Sequence, residues 1–310
     1  MPKVSIVIVC MNRPDILFPC LDSIRTHTGV SYETLVVAYR FTPANLLAVR
    51  EKYPWVTVIE NEALSGFSEN NNLALRQAKG EYCFVVNDDT LMDMAVIDRL
   101  SADLDSLPSG VAAVSPKIVF ADGKVQTCGR APWTAGRYML HYLHLVDETR
   151  PSAWSMKTGL FRTATLNGAC FLARTEAFRR AGWFDERFFF TPEDIALGRK
   201  FCDMGYEVWT DADVVITHLA GGSVSGLEYA IKPARVAGAL LYYGGDNRVR
   251  RFFLGSYIWL IEGLRVLKYT IVGHSEGRNR LMYKTARNVQ RTVTSGRMPG
   301  EAFETFYREG

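Results

Sequence analysis

Residues 82–90 set two carboxylates side by side where a strand ends: Tyr82-Cys83-Phe84-Val85-Val86 runs straight into Asn87-Asp88-Asp89-Thr90. Adjacent negative charges at the end of a buried strand repel unless a cation, a proton or hydrogen-bond donors offset them. Asn and Asp oxygens are hard donors, suited to Mg²⁺ or Mn²⁺ carrying a phosphate-bearing substrate rather than to a thiolate-loving metal. The same three residues also make an ordinary polar turn. A second acidic pair, Glu193-Asp194, follows Pro192 and five aromatics between Trp183 and Phe190. Acids in the first turn of a helix are favoured by the helix dipole, which explains the pair without a reaction. His218 leaves a strand before Ala220-Gly221-Gly222-Ser223. It reads either as a capped polar residue or as a further ligand for the proposed metal.

The elements that must hold these groups alternate. Val4 to Val9 is continuous and β-branched, as in a strand covered on both faces of a parallel sheet. A helix begins near Pro14 and carries Leu17, Cys20, Leu21 and Ile24 on one face; Glu33–Ala38 and Val56–Glu60 are strands, with a helix over Pro43–Tyr53 between them. The loop Ser65 to Asn72 opens a helix expected to run to Lys79, with Ser68 as its N-cap and its amides available to a phosphate or a ribose. The strand into Asn87-Asp88-Asp89 follows, so the acids lie beyond a strand's carboxyl end, where ligands of open α/β sheets gather. Further on, the spacing predicts a helix over Asp93–Leu107 and strands over Val111–Ser115, Lys117–Phe120, Leu166–Ala173, Tyr206–Thr210 and Val214–Thr217. From Cys128 to Arg162 periodicity is poor, and this stretch is assigned to the acceptor side of a cleft. His141 and His144 within it lack a matching acid or cysteine and are read as surface or packing residues.

The 310 residues suffice for one large α/β domain with an appendage or for two modest domains. Apolar residues at 48% and charged residues at 22% are those of a globular chain, and a net charge of +3 is too small to argue for nucleic acid. Six cysteines without a Cys-x-x-Cys pair point to a reducing compartment. The apolar run near Met1 is too short to span a membrane and lacks a small-residue cleavage site, so it reads as a buried strand and not a signal peptide.

Four blocks together resemble the family 2 glycosyltransferases, the large inverting group with the GT-A fold. They are Val4–Val9 with Asn12-Arg13; Gly66-Phe67 to Asn72; the strand into Asn87-Asp88-Asp89; and Asn167-Gly168-Ala169-Cys170 followed by Gly182-Trp183-Phe184-Asp185-Glu186-Arg187-Phe188-Phe189, Glu193-Asp194 and His218. Their order and spacing match over roughly residues 4–223. The nearest subgroup is the rhamnosyltransferase-like and galactofuranosyltransferase-like enzymes that build bacterial cell-surface polysaccharide. The resemblance implies an α/β chain with a Rossmann-like, doubly wound, mostly parallel sheet and a C-terminal helical extension. Residues 1–225 would be the catalytic domain, with a nucleotide-sugar half to about residue 120 and an acceptor half after it, and residues 226–310 the extension.

What the resemblance implies for the site runs residue by residue. Asn87-Asp88-Asp89 occupies the place of the family's DxD motif, so Asp89 would hold Mn²⁺ or Mg²⁺ with His218 completing the metal site. Asp194, or else Glu193, matches the general base, which takes the acceptor hydroxyl proton while the metal stabilises the departing diphosphate. Donor contacts fall to Asn12, Arg13, Tyr39, Gly66, Phe67, Asn71, Asn87, Asp88 and Asp89, and acceptor contacts to Gly168, Trp183 and Asp185. Two departures stand out. Ala38-Tyr39-Arg40 replaces the acid that usually meets the nucleoside, which shifts base recognition to Tyr39 or Arg40, and Ala196 replaces an acid many relatives repeat.

The expected function is inverting, metal-dependent transfer of a sugar from a UDP- or dTDP-sugar to a hydroxyl of a glycan or lipid-linked glycan acceptor, in the cytoplasm or at the inner face of the cell membrane. The alternatives are a nucleotidyltransferase, which lacks its usual glycine-rich basic loop here, and a non-catalytic carbohydrate-binding protein on a transferase fold. Beyond Ser225 a basic, aromatic stretch from Arg248 to Lys268 suggests either a helix at an anionic membrane surface or one that packs on the catalytic domain or a second subunit.

Overall fold

The computed structural model describes residues 1–146, 153–219 and 226–309. Its first half is β1 (Val4–Met11), α1 (Pro14–His27), β2 (Tyr32–Tyr39), α2 (Pro43–Lys52), β3 (Val56–Asn61), α3 (Phe67–Leu75), β4 (Tyr82–Val86), β5 (Thr90–Leu91), α4 (Val96–Ser106) and β6 (Val111–Val119). There follow β7 (Val125–Thr127), α5 (Ala135–Tyr142), β8 (Leu160–Thr163), β9 (Cys170–Arg174), α6 (Thr175–Arg180), α7 (Glu193–Asp203) and β10 (Glu207–His218). Four helices complete the chain: α8 (Glu228–Gly244), α9 (Arg248–Val272), α10 (Gly277–Ser295) and α11 (Pro299–Arg308).

One sheet runs β3-β2-β1-β4-β9-β6-β10-β5, with β7 on β6 and β8 on β10. β1 pairs in parallel with β2 and β4, and β2 with β3. β9 enters antiparallel between β4 and β6, and β6 pairs in parallel with β10. Six long strands therefore share one direction, and their carboxyl ends form one rim. Ile6, Ile8 and Cys10 of β1 join one buried cluster and Val7 the other, as alternation in a sheet covered on both faces requires. Pro14 and Pro43 sit in the first turns of α1 and α2, where a missing N–H costs nothing.

Several expected boundaries differ for identifiable reasons. Gly66, not Ser68, caps α3: its N–H donates to Glu69 Oε2 at 2.9 Å, while Ser68 lies fully buried within the first turn. A side chain at Gly66 would meet the Phe189 carbonyl at 2.4 Å, so glycine here is a matter of close approach. α3 ends at Leu75 rather than Lys79. The two strands expected around Pro116 are one, β6, and the two expected around Asp211 are one, β10, with the irregularity absorbed as a register shift between them. The stretch after Cys128 contains α5 and β8. Tyr138 and Tyr142 of α5 pack at its own spacing, and Tyr138 stacks on Tyr243 at 4.9 Å, so aromatics in place of aliphatics masked the helix.

The extension is helical and packs on the sheet domain. Phe189 stacks on Phe303 of α11 at 4.6 Å. Glu262 of α9, fully buried, accepts from Lys232 Nζ at 2.7 Å and Arg265 at 2.5 Å, and from the Tyr142 hydroxyl. That cluster ties α9 to α8 and α5.

Candidate active site

Backbone pairing brings three segments to the rim. The Asn87 N–H donates to the Ala169 carbonyl at 2.9 Å, locking the acid turn after β4 to the start of β9. β5 pairs antiparallel with β10, setting Thr90 opposite His218, and the Leu219 N–H donates to the Asp89 carbonyl at 2.9 Å. The acids and the histidine thus meet through strand registry. They open onto a cavity of about 340 Å³ whose wall also includes Tyr39, Arg40, Gly66, Phe67 and Asn70.

Asp88 is buried, and its Oδ2 has no hydrogen-bond partner among the described residues; Oδ1 of Asp89 has none either. Burial pushes the Asp88 carboxyl up to about 6, with the Asp89 charge adding to the rise and the Cys10 thiol opposing it. His218 Nδ1 lies 2.8 Å from Gln126 Oε1. An amide oxygen only accepts, so Nδ1 donates to it and Nε2 is turned toward the acids. Nε2 stands 3.0 Å from Asp89 Oδ1. A carboxylate oxygen and an imidazole nitrogen this close are near enough to share one cation.

The donor set therefore fits a hard or borderline divalent ion, with the Gln126 contact fixing the imidazole from behind. Among the described residues no three His, Cys, Asp or Glu side chains converge; Asp89 and His218 are two that do, and Asn87 Nδ2 lies 3.4 Å from Nε2. Such a sparse set leaves positions for substrate oxygens and water, as expected of a catalytic metal.

The second acidic pair begins α7. Asp194 Oδ2 accepts from the Gly168 N–H at 3.0 Å, Oδ1 from the Ile195 N–H at 2.7 Å, and Arg130 stands 4.0 Å away. Glu193 beside it is sealed, with Oε2 unpartnered. Burial, then the Asp194 charge, hold its carboxyl well above the usual range. Of the two, Asp194 keeps 13% of its side chain accessible and can meet a substrate. A side chain built at Gly168 would contact Asp194, Glu193 and Phe67, and Phe67 lines the cavity, so acids and cavity adjoin.

The expected residues divide. Asn87, Asp88, Asp89, His218, Tyr39, Gly66 and Phe67 line one cavity, and Gly168 bonds Asp194 at its edge. The Tyr39 hydroxyl accepts from the Ser65 N–H at 3.3 Å. Others are engaged elsewhere. Asn12 Oδ1 accepts from Thr42 N and Asn45 Nδ2 at the start of α2, Arg13 pairs with Asp15 at 2.8 Å, and Asn71 donates to the Phe67 carbonyl. Trp183 packs on Phe178, and Asp185 pairs with Arg187 at 2.6 Å. The glycine-rich turn after His218 lies outside the described residues.

Sequence reasoning missed the far wall. Ile231 and Arg235 of α8 and Phe303 and Tyr307 of α11 face the same cavity. Arg235 is hemmed by protein, which lowers its pKa, yet its side chain remains accessible from the cavity. No local pattern marks these residues; only the packing of the extension delivers them. Gln126, on a short hairpin strand, was equally silent.

Residues 5–180 match the profile described as glycosyl transferase family 2. Over 221 residues the chain is 27% identical to the O-antigen biosynthesis protein RfbC of Myxococcus xanthus, covering 70% of this chain and 17% of that protein. Over 205 residues it is 26% identical to the N-acetylglucosaminyl-diphospho-decaprenol L-rhamnosyltransferase of Mycobacterium tuberculosis, covering 56% and 62%. The chain thus spans less than two thirds of the length of these relatives. Among solved structures, the mannosyltransferase PcManGT from Pyrobaculum calidifontis, in complex with GDP-Man and Mn²⁺, superposes with a TM-score of 0.54 at 19% identity, over 99% of this chain and 80% of that one. GalNAc-T7 with UDP, GalNAc and Mn²⁺ superposes at 0.59 and 15% identity, over 100% and 56%. The likeness is one of fold: GT-A, with C-terminal helices.

Proposed function

The chain belongs to glycosyl transferase family 2, and from that premise we propose that it transfers a sugar, with inversion, from a nucleotide-diphosphate donor to a hydroxyl of a glycan or lipid-linked glycan in cell-surface polysaccharide synthesis. The observation that carries this reading is His218 Nε2 standing 3.0 Å from Asp89 Oδ1, beside the buried Asp88, on the rim of a cavity that adjoins Asp194. The relatives named for O-antigen synthesis and rhamnosyl transfer support the choice of pathway class.

Asp89 and His218 would hold Mn²⁺ or Mg²⁺, and the ion would supply positive charge to the donor diphosphate as it departs. Tyr39, Arg40 and Phe67 shape the wall on the side of β2 and α3, where the nucleoside sits in this reading. Arg235 offers the cavity a permanent positive charge for the diphosphate. Asp194 is the base: two N–H donors aim its oxygens, and it accepts the acceptor hydroxyl proton as the new bond forms. Glu193, kept neutral by burial, spares Asp194 a like charge. One displacement inverts the anomeric carbon, and no covalent intermediate on the protein is needed.

Calorimetry with UDP and dTDP, with and without Mn²⁺, tests the reading. Metal-dependent binding of at least one nucleotide, weakened about a hundredfold or more in Asp89→Ala, is the expected result. Binding of neither nucleotide would reject it in favour of a non-catalytic carbohydrate binder.

A further inference from the structure

We propose that the exposed face of α9 is a docking surface for a membrane with anionic headgroups. The helix has 25 residues and is about 37 Å long. Leu254, Ile258 and Glu262 bury one face. The opposite face exposes Phe252, Phe253, Trp259, Leu260, Leu264 and Leu267, which recur at three- and four-residue spacing as one stripe. Apolar area on this scale on one helix marks an interaction surface.

Charge selects the partner. Residues 226–309 hold fourteen Lys and Arg against seven Asp and Glu, a net +7 in a chain whose total is +3, so the remainder is acidic. Arg248, Arg250 and Arg251 crowd the first turn of α9, which contains no acid. Cations at that end oppose the helix dipole, a cost that an external anion would offset. The only acid within α9 is Glu262, buried and already paired three ways. A second copy of this chain laid on the same face would find no acid on the exposed side of α9 to meet these arginines. A bilayer interface rich in anionic headgroups accepts both the apolar stripe and the arginines.

A cleft of about 730 Å³ beside the stripe joins Phe252, Trp259 and Met298 to Arg248 and Arg297, an apolar trough with basic walls that suits one lipid chain and its phosphate. No helix among the described residues is long and apolar enough to cross a membrane, so α9 would lie in the interface. α8 spans both cavities: Ile231 and Arg235 line the one at the strand ends, and Ala237 and Leu240 line this cleft, about 9 Å further along the axis. Docking through α9 would hold the carboxylate cavity next to the bilayer. This inference stands independently of the transfer reaction.

The test is co-sedimentation of the full chain with phosphatidylglycerol–phosphatidylcholine vesicles and with pure phosphatidylcholine vesicles. Binding to the mixed vesicles is expected to exceed binding to the neutral ones by at least about tenfold and to weaken with salt. R248Q/R250Q, both at exposed positions, is expected to lower partitioning by about tenfold or more, with an unchanged thermal melt. F252S/F253S/W259S should lose vesicle binding with Mn²⁺-dependent nucleotide binding retained. Equal partitioning to both vesicle types would overturn the proposal. So would no partitioning together with a dimer, by light scattering, that F252S/F253S/W259S dissociates, since the occupant would then be a second copy.

Discussion

Two cavities of this molecule invert the usual expectation that the larger one holds the chemistry. The one of about 730 Å³ is walled by helices and is mostly apolar, and its charged groups are arginines of α9 and the loop before α11. The one of about 340 Å³ lies at strand ends and collects Asp88, Asp89 and His218, with Glu193 and Asp194 at its margin. Strand registry fixes an atom to a fraction of an ångström, as the Asp89–Leu219 and Asn87–Ala169 backbone bonds do here. Packed helices supply area and charge at lower precision. A reaction needs the first and a docking surface needs the second.

Four changes would break or sharpen that contrast. Asp194→Asn should abolish sugar transfer, a fall of about a thousandfold or more, with metal-dependent nucleotide binding intact; turnover measured with a panel of nucleotide sugars decides it, and retained turnover removes Asp194 as the base. Glu262→Leu acts at the other pole: it strands Lys232 and Arg265 around an apolar side chain and should cost about 3 kcal/mol in denaturant unfolding. Gln126→Leu frees the imidazole of His218 and should weaken Mn²⁺ binding about tenfold, read by electron paramagnetic resonance, without altering stability as Glu262→Leu does.

The smallest effect comes from an acid pair remote from both cavities. Burial, then the nearby Asp211 charge, push the Asp103 carboxyl up to about 6, against a value near 4 in the unfolded chain. Below about pH 4 the group is protonated in both states and costs nothing. As pH rises through 6 the folded state must ionise it against burial and like charge, so stability falls across that window. Asp103→Asn should therefore stabilise the protein at pH 8 by about 1 kcal/mol after allowance for solvent screening, and leave it unchanged at pH 4. Thermal melts at the two pH values check the sign.

The core of the sheet was legible because its strands carry their own signal: Val4 to Val9 and Tyr82 to Val86 are mostly apolar and β-branched or aromatic, and the acids interrupt the second run abruptly. Glu193 and Asp194 announced themselves behind Pro192. Nothing local announces Arg235, Phe303, Tyr307 or Gln126, whose places depend on how distant elements pack. The same dependence sets the partners of residues to which the family resemblance assigns contacts. Asp185 is satisfied by Arg187 two residues away, and Asn12 by the start of α2, both partnerships that spacing alone does not reveal.

The wall built by α8 and α11 also sets an order of events during synthesis. The acids at 88 and 89 leave the ribosome long before Phe303 and Tyr307, and 89 residues separate His218 from Tyr307. At about 5–20 residues per second that interval is roughly 4 to 18 s. A nascent chain therefore has its acids and its histidine for several seconds before it has their enclosure, and a ribosome stalled short of Phe303 would display a half-walled cavity open to water.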